Sequence, residues 1–322
     1  MRDTTTVGDE LTDTQTAEAP SASGPAAGKP GHGKPKKERE ASLWSDAVSD
    51  LRRNPIFLIG GALVLILLVL AAVPQWFTPG SPFEAGACKL QDSLKKPSAE
   101  HWFGFDVQGC DVYTRTVWAA RNSIIVGIVT TTLVVVVGGA LGLIAGWIGG
   151  FVDSILSRFT EIFFAIPLLL GGMLIMSGLG KGNAWTVSVV LATLGWPQIF
   201  RIMRSSVLQN KNNDYVVAAR ALGAGTMRIT LRHILPNAIA PVIVVGAISL
   251  GVYIGAESAL SYLGIGVQPP GISWGLMVSD ASVRWLQAPH VLLFPAVALS
   301  ITVLAFIMVG DAVRDALDPK LR

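Results

Sequence analysis

The sequence predicts an all-α polytopic membrane protein with six transmembrane helices, and two observations predict it. The first is composition: 51% of the 322 residues are hydrophobic and only 15% are charged, with a mean hydropathy of +0.53. This balance is typical of multi-span membrane proteins and not of soluble domains. The second is a series of long windows without a charged residue. The net charge of +3 is too small to indicate nucleic acid as a partner, so membrane lipid is the expected surrounding.

A helix needs roughly 20 mostly apolar residues to cross a bilayer. Six charge-free windows are long enough, at residues 54–83, 122–152, 162–180, 182–200, 234–256 and 291–310. A seventh, 258–279, contains four glycines and two prolines, which would leave backbone groups unsatisfied in lipid. We therefore predict a short, partly re-entrant or surface-lying excursion there, and a first spanning helix over about 55–76.

The distribution of basic residues predicts that both termini are cytoplasmic. The loop 201–236 carries six basic residues and is assigned to the cytoplasm, and further lysines and arginines precede the first window and follow the last. The loops 77–118 and 258–290 then lie outside. We expect a multi-pass protein of the cell inner (plasma) membrane.

The chain is expected to divide into four regions. They are a disordered cytoplasmic tail (1–42), an N-terminal region with the first helix and an external loop (43–118), a core with five transmembrane helices and the cytoplasmic loop 201–236 (119–312), and a cytoplasmic C-terminal tail (313–322). At the start of the second region, residues 43–53 fit either a short amphipathic helix on the inner membrane surface or a solvated linker.

Both cysteines, Cys88 and Cys110, lie in the predicted external loop. A pair on one loop outside the membrane indicates a disulfide, and two free thiols are the alternative. A bridge closing a loop of this size stabilises it by roughly 3 kcal/mol in the chain-entropy model. Only His101 lies nearby, which completes no set of metal ligands, so no metal site is predicted.

Three features of the spans are candidates for packing or for a pathway. Gly138, Gly142, Gly146 and Gly150 recur at every fourth position, which lets a second helix approach closely, within this chain or in a second membrane subunit. Pro167 should kink the third span and free a carbonyl to face a cavity. Glu257, at the outer end of the fifth span, either lines an external vestibule or gate or reaches the membrane interface.

Sequence patterns of catalysis are absent. The chain contains no GxxxxGK[ST], HExxH, GxSxG or CxxC pattern. We therefore predict no catalytic residue and no cofactor, and a transporter driven by ATP would need its ATPase on another chain, where ATP and Mg²⁺ would bind.

The segment DYVVAARALGAGTMRITLRHILP, residues 214–236, predicts two short helices joined by a sharp bend. Asp214 or Asn213 is a candidate N-cap, and good helix formers continue to Leu222. Gly223 or Gly225 can take a left-handed conformation, while Thr226 can cap a second helix that ends at Pro236. The product is a basic knob that meets a soluble partner or rests on anionic lipid.

This segment resembles the "EAA" loop with which permeases of ATP-binding cassette importers contact their ATPase. The likeness rests on Ala218, Ala219, Gly223 and the distal Leu235-Pro236. Other blocks resemble the C-type permease of dipeptide and oligopeptide importers, and the likeness covers about residues 45–322. These blocks are FGFDVQGCDVYTRTVWAARNSI (103–124), LGWPQIFRIMRSSVL (194–208), SYLGIGVQPPGISWG (261–275) and GDAVRDALDPKLR (310–322).

The resemblance implies a type I ABC importer permease fold and a peptide transport role. Nickel or another small solute is the alternative substrate, and a non-ABC secondary transporter is the alternative class of protein. The implied partners are a homologous B-type permease, two ATPase subunits or one fused ATPase, and an extracytoplasmic peptide-binding protein. Val217 stands where the family usually has a glutamate, and Cys110 stands where it usually has an arginine.

The resemblance also implies which residues contact the ATPase. They are Asp214, Tyr215, Ala218, Ala219, Arg220, Gly223, Arg228, Leu235 and Pro236.

Overall fold

A computed structural model describes residues 48–180 and 182–317 of the chain. The predicted tail at 1–42, the first part of the segment 43–53 and residues 318–322 lie outside the described residues. Within them, 48–51 are helical. The eleven α-helices from residue 55 onward are α1 Pro55–Ala72, α2 Val112–Ile148, α3 Gly150–Phe164, α4 Leu168–Leu179, α5 Ala184–Asn210, α6 Asp214–Ala221, α7 Thr226–Ile229, α8 Leu235–Ala238, α9 Ala240–Tyr262, α10 Trp274–Ser282 and α11 Pro289–Leu317.

Five of the described helices are long and apolar enough to cross a membrane: α1, α2, α5, α9 and α11. A sixth crossing is formed if the bent pair α3 and α4 counts as one span. The sequence therefore located all six regions. The windows underestimated the lengths of the helices, because a charge-free window measures the apolar stretch and not the whole helix. Helix α2 starts ten residues before its window, and α5 continues beyond residue 200 through Arg201 and Arg204 to Asn210.

The third span differs most from the prediction. A continuous helix over 162–180 was expected, with a kink at Pro167. The structure instead has α3 begin at Gly150, and α3 and α4 meet at an angle of 83°. Pro167 is the N-cap residue of α4, with an extended ψ of 128°. Proline disfavours the helical conformation in the residue before it and cannot donate a backbone hydrogen bond, so the helix breaks there completely.

Glycines bring α2 and α5 into close contact. A Cβ atom added at Gly138 would lie 2.5 Å from the Trp196 carbonyl oxygen, and one at Gly142 would lie 2.6 Å from the Phe200 carbonyl oxygen. At Gly146 it would lie 2.8 Å from Cβ of Val207. The glycine face therefore packs within this chain. Gly150 does not belong to it, because α2 ends at Ile148 and Gly150 has no neighbour within 4 Å of a built Cβ.

The predicted excursion at 258–279 is buried against the start of α2. Its first residues extend α9 to Tyr262, and a loop then leads to the nine-residue helix α10. The Trp274 indole donates a 2.9 Å hydrogen bond to the Thr116 carbonyl, and the Asn122 amide donates one of 2.7 Å to the Ile272 carbonyl. The excursion does not span, as predicted. Residues 272–277 lie in the protein core, whereas 262–264 and the two prolines at 269–270 are exposed.

The glycine contact gives a direct test by substitution. Gly142→Ala should lower the stability of the purified full chain in detergent by about 1–3 kcal/mol, since the new methyl group overlaps the backbone of α5. Gly139→Ala is the matched control, because no atom lies within 4 Å of its built Cβ. The measurement is the thermal unfolding midpoint of both variants. Equal midpoints for the two would contradict the close approach.

Candidate functional site

The predicted docking segment forms a helical knob that comprises residues 214–238. It consists of α6, α7, a π-helical turn over Thr230–Ile234, and α8. Three side chains hold it to the helix bundle: Val216 and Ile229 are 1% and 2% exposed, and Ile234 is fully buried. The knob is therefore a packed part of the fold, with one apolar face turned inward.

The bend in the knob is built on Gly223. Its φ of +81° lies in the left-handed region, which glycine adopts without steric cost. The Gly223 amide donates to the Arg220 carbonyl, and the Ala224 amide donates to the Ala219 carbonyl, both at 3.0 Å. These two bonds form a Schellman motif, which satisfies carbonyls left free at the end of α6. Of the two glycines that the sequence offered, Gly223 takes the left-handed position and Gly225, at φ −68°, does not.

Two details of the knob correct the sequence prediction. Asn213 stands at the N-cap of α6 but makes no side-chain capping bond, and Gly225, not Thr226, is the N-cap residue of α7. The second helical segment also does not end at Pro236. The chain passes through the π-helical turn into α8, with Pro236 in its first turn. A first-turn proline needs no amide partner, so the chain stays helical past it.

Polar contacts hold the C-terminal end of α5, from which the chain continues into the knob. Arg204 of α5 forms a two-pronged ion pair with Asp153 of α3, in which Nη2 lies 2.6 Å from Oδ2. Beyond the end of α5, the Lys211 ammonium donates a 2.6 Å hydrogen bond to the Trp147 carbonyl. A cation at the last carbonyls of α2 is favourable because those groups carry the negative end of the helix dipole. These contacts tie the C-terminal end of α5 to α2 and α3, just before the knob begins.

The surface of the knob carries both apolar and basic side chains that are exposed. Leu222 is 88% exposed, Met227 70%, Val217 57% and Leu231 47%. Exposed apolar side chains on a polar, basic segment are candidates for contact with a partner. These four residues were not named as contacts from the sequence, although their place inside such a segment was the available signal. Basic side chains that are exposed on the same segment are Arg220, Arg228 and Arg232.

The predicted docking residues are mostly accessible. Two of them, Ala219 and Leu235, are only half-buried and pack against the main core cluster. Tyr215 is 37% exposed and donates a 3.0 Å hydrogen bond to Asn210 at the end of α5. Those on the surface are Asp214, Tyr215, Ala218, Arg220, Gly223, Arg228 and Pro236.

At the opposite end of the bundle, the loop between α1 and α2 contains the predicted disulfide. Cys88 and Cys110 are joined, and their strand segments pair as an antiparallel bridge. The side chain of Asp106 orders this turn: Oδ1 accepts hydrogen bonds from the amides of Gln108 and Cys110 at 2.8 and 2.9 Å. His101 forms a 2.7 Å contact with Asp111. Among the residues described, no group of three His, Cys, Asp or Glu side chains is placed to hold a metal ion.

A buried ion pair fastens this loop to the bundle. The Arg115 guanidinium, near the start of α2, binds the second carboxylate oxygen of Asp106, and both residues are less than 10% exposed. A buried charge is tolerated when it is paired and hydrogen-bonded. Asp280 of α10 lies 3.9 Å from Arg115. Burial raises the pKa of the Asp280 carboxyl above its ordinary value, while the nearby guanidinium opposes that rise.

Glu257 is in neither of the two places that the sequence left open. It is fully buried, because α9 continues past it and the loop after Tyr262 folds back over it. The Ser261 hydroxyl donates to its carboxylate at 2.7 Å, and hydroxyls of Ser258 and Ser123 lie at 3.3 and 3.4 Å. Ser123 belongs to α2, so the carboxylate joins α9 to α2. It faces no vestibule and no membrane interface.

Pro167 borders a groove with a volume of about 560 Å³. The groove lies where α3 breaks into α4, and residues of α5 and α9 form its other walls. Most of the walls are apolar, but Gln198, Ser249 and Tyr253 add polar groups. The expected cavity beside Pro167 is therefore present.

Several helices that are long enough to cross a membrane, a groove between some of them and an exposed helical knob at one end are features of a multi-pass membrane protein of the transport class. Comparison with known proteins gives the family. Residues 138–322 match the family described as binding-protein-dependent transport system inner membrane component, and residues 42–97 match the N-terminal transmembrane domain of oligopeptide transport permease C. The chain belongs to this family of inner membrane transport components.

Individual relatives resemble the chain over most of its length. The oligopeptide transport system permease protein OppC of Bacillus subtilis strain 168 is 39% identical over 88% of this chain and 92% of its own. The dipeptide permease DppC of the same strain is 39% identical over 89% and 88%. A glutathione transport system permease of Pectobacterium atrosepticum is 35% identical over 87% and 92%.

A solved structure supports the fold. Inward-facing MetNI, a methionine ABC transporter, matches with a TM-score of 0.51 and 21% identity over 64% of this chain and 96% of that one. The fold is that of an ABC importer permease, as the sequence predicted.

The disulfide loop gives a second test. Replacing Cys88 and Cys110 together by serine should lower the free energy of local unfolding of the α1–α2 loop by roughly 3 kcal/mol, because the crosslink between the two residues is lost. Limited proteolysis of the full chain reports the loosening as faster cleavage between α1 and α2. Arg158→Ala is a suitable control, because this 85% exposed side chain lies far along the sequence and pairs only at 3.7 Å with Glu161. Alkylation of both native cysteines as free thiols in intact membranes would rule out the bridge.

Proposed function

We propose that the chain is the transmembrane permease subunit of an ATP-driven peptide importer and forms half of the translocation pathway. The observation that carries the proposal is the knob, which extends from the tied end of α5 and offers exposed apolar side chains for contact. Relatives named for oligopeptide and dipeptide transport, each covering nearly the whole chain, support peptides as the substrate class.

The remaining half of the pathway and the source of energy lie on partners. These are a homologous second permease, two ATPase subunits or one fused ATPase, and an extracytoplasmic binding protein that delivers the peptide. ATP and Mg²⁺ bind on the ATPase. Both termini and the knob face the cytoplasm, as the basic residues at that end of the bundle favour.

Coupling is mechanical in this proposal. Closure of the ATPase on ATP displaces the knob, and the displacement passes to the helices that hold it. Arg204 with Asp153 and Lys211 with Trp147 tie the end of α5, from which the knob extends, to α3 and α2. A rigid-body movement of this kind switches the pathway between outward-facing and inward-facing states.

Reconstitution tests the proposed function. The chain, its second permease, the ATPase and the binding protein are placed in proteoliposomes, and uptake of radiolabelled trialanine and of nickel is measured with and without ATP. We expect ATP-dependent uptake of trialanine and none of nickel. Uptake of nickel alone would contradict the peptide assignment. The purified chain by itself should not hydrolyse ATP, and specific turnover after removal of contaminating ATPases would contradict the division of labour.

Substitution of Gly223 tests the knob as the docking element. Gly223→Val should strongly reduce co-purification of the ATPase and trialanine uptake, because a β-branched residue resists the left-handed geometry at φ +81°. Arg228→Ala should have a smaller effect, since an edge charge tunes association more than it anchors it.

The matched control is Gly225→Val, since both glycines have open space around a built Cβ and only Gly223 has positive φ. We expect the Gly225 variant to keep most docking. If Gly223→Val retains wild-type co-purification and uptake, the knob is not the coupling element. If both variants fail equally, added bulk and not backbone geometry is the cause.

A further inference from the structure

The groove beside Pro167 contains polar groups without partners at the depth of the membrane. Tyr253 lies within α9 and has only 4% of its surface exposed, yet its side chain lines the groove. Gln198 lies near the middle of α5 and also lines it. Within the described residues, neither the Tyr253 hydroxyl nor the Gln198 amide makes a hydrogen bond, and the Gln198 side chain is exposed. Polar groups in a bilayer that lack a partner are costly, so a binding role is the natural account of both.

The break in the third span adds backbone donors to the same groove. The first turn of a helix leaves its amide groups without intrahelical partners, and Pro167 makes no side-chain capping bond to those of α4. Leu168 and the residues of the break line the groove, so this helix start opens on it. The positive end of the α4 dipole favours electronegative ligand atoms there.

A positive charge stands at the edge of the groove. Arg201 follows Gln198 by three residues on α5, a spacing that places both on one helix face. Its guanidinium lies 3.6 Å from the ring centroid of Phe164, a residue that lines the groove. The helix start, the arginine, the tyrosine hydroxyl and the glutamine amide all offer donors to an oxygen-rich ligand.

We propose that this groove is the peptide-binding segment of the translocation pathway, in which Gln198, Tyr253 and the first turn of α4 bind the carbonyl and carboxylate oxygens of the peptide backbone in transit. The inference rests on the proposed function and adds a site to it. Apolar walls with a few backbone-directed donors suit a ligand whose side chains vary. The volume of about 560 Å³ lies within the usual range of ligand sites and accommodates a short peptide.

Two substitutions remove the side-chain donors while keeping the side chains similar in size. In the reconstituted complex, Gln198→Leu and Tyr253→Phe should each lower the initial rate of trialanine uptake, at peptide below saturation, roughly five- to tenfold, the effect of one hydrogen bond. The ATPase and the second permease should still co-purify. Leu65→Ala is the control: Leu65 is 62% exposed near the middle of α1 and should leave uptake unchanged.

A chemical readout tests the groove without transport. Gln198→Cys in the assembled complex should react with a charged methanethiosulfonate reagent, because a peptide pathway is wet, and trialanine should slow the reaction. Leu65→Cys should not react, because a charged reagent does not enter lipid. The native cysteines of this chain are joined to each other and leave no competing thiol in it, and the wild-type complex gives the background reaction of the partners.

The outcomes separate this inference from the proposed function. No trialanine uptake by the wild-type complex defeats the proposed function, whatever the variants do. Normal uptake by both Gln198→Leu and Tyr253→Phe overturns the binding site while the importer stands. Loss of the second permease from the Gln198 variant, or an unreactive Gln198→Cys, also overturns it, because the groove is then covered by a partner or by lipid.

Discussion

The close contact between α2 and α5 is the constraint on which the rest of the structure depends. Glycine at Gly138, Gly142 and Gly146 lets the two backbones touch, because a single methyl group at these positions would overlap α5. In lipid, where no hydrophobic force drives helices together, such van der Waals contact is a main source of cohesion. One end of this helix pair supports the α1–α2 loop and the buried excursion, and the other end supports the knob. The middle of α5 forms a wall of the groove.

Much of the architecture could be predicted from local sequence. Apolar windows located every crossing because the bilayer imposes one length scale, and the glycine period indicated a packing face. The Gly223 bend was foreseeable because few residues adopt positive φ. Helix ends were less predictable: α2 and α5 extend well into polar sequence, and the polar start of α2 is buried against other parts of the fold. Pro236 does not end the second helical segment, as had been predicted, because the preceding π-helical turn leads into α8 with the proline in its first turn.

The features that were missed depend on residues far apart in the chain. Glu257 was expected at a vestibule, a gate or the membrane interface. In the fold it is buried by Ser123, which belongs to another helix, and by the loop that follows α9. The size of the groove beside Pro167 depends on the positions of α5 and α9, which form its other walls. The four exposed apolar residues of the knob do not form a periodic pattern, and their exposure depends on how the whole segment folds.

The position of the disulfide along the chain has a consequence for the order in which the protein is assembled. Cys88 and Cys110 both precede α2, so the bridge can close once the first two helices have entered the membrane. The contact of Arg115 with Asp280 has to wait until α10 has been synthesised, more than 160 residues later in the sequence. Closure of the loop therefore does not depend on α10, whereas the contact between Arg115 and Asp280 does.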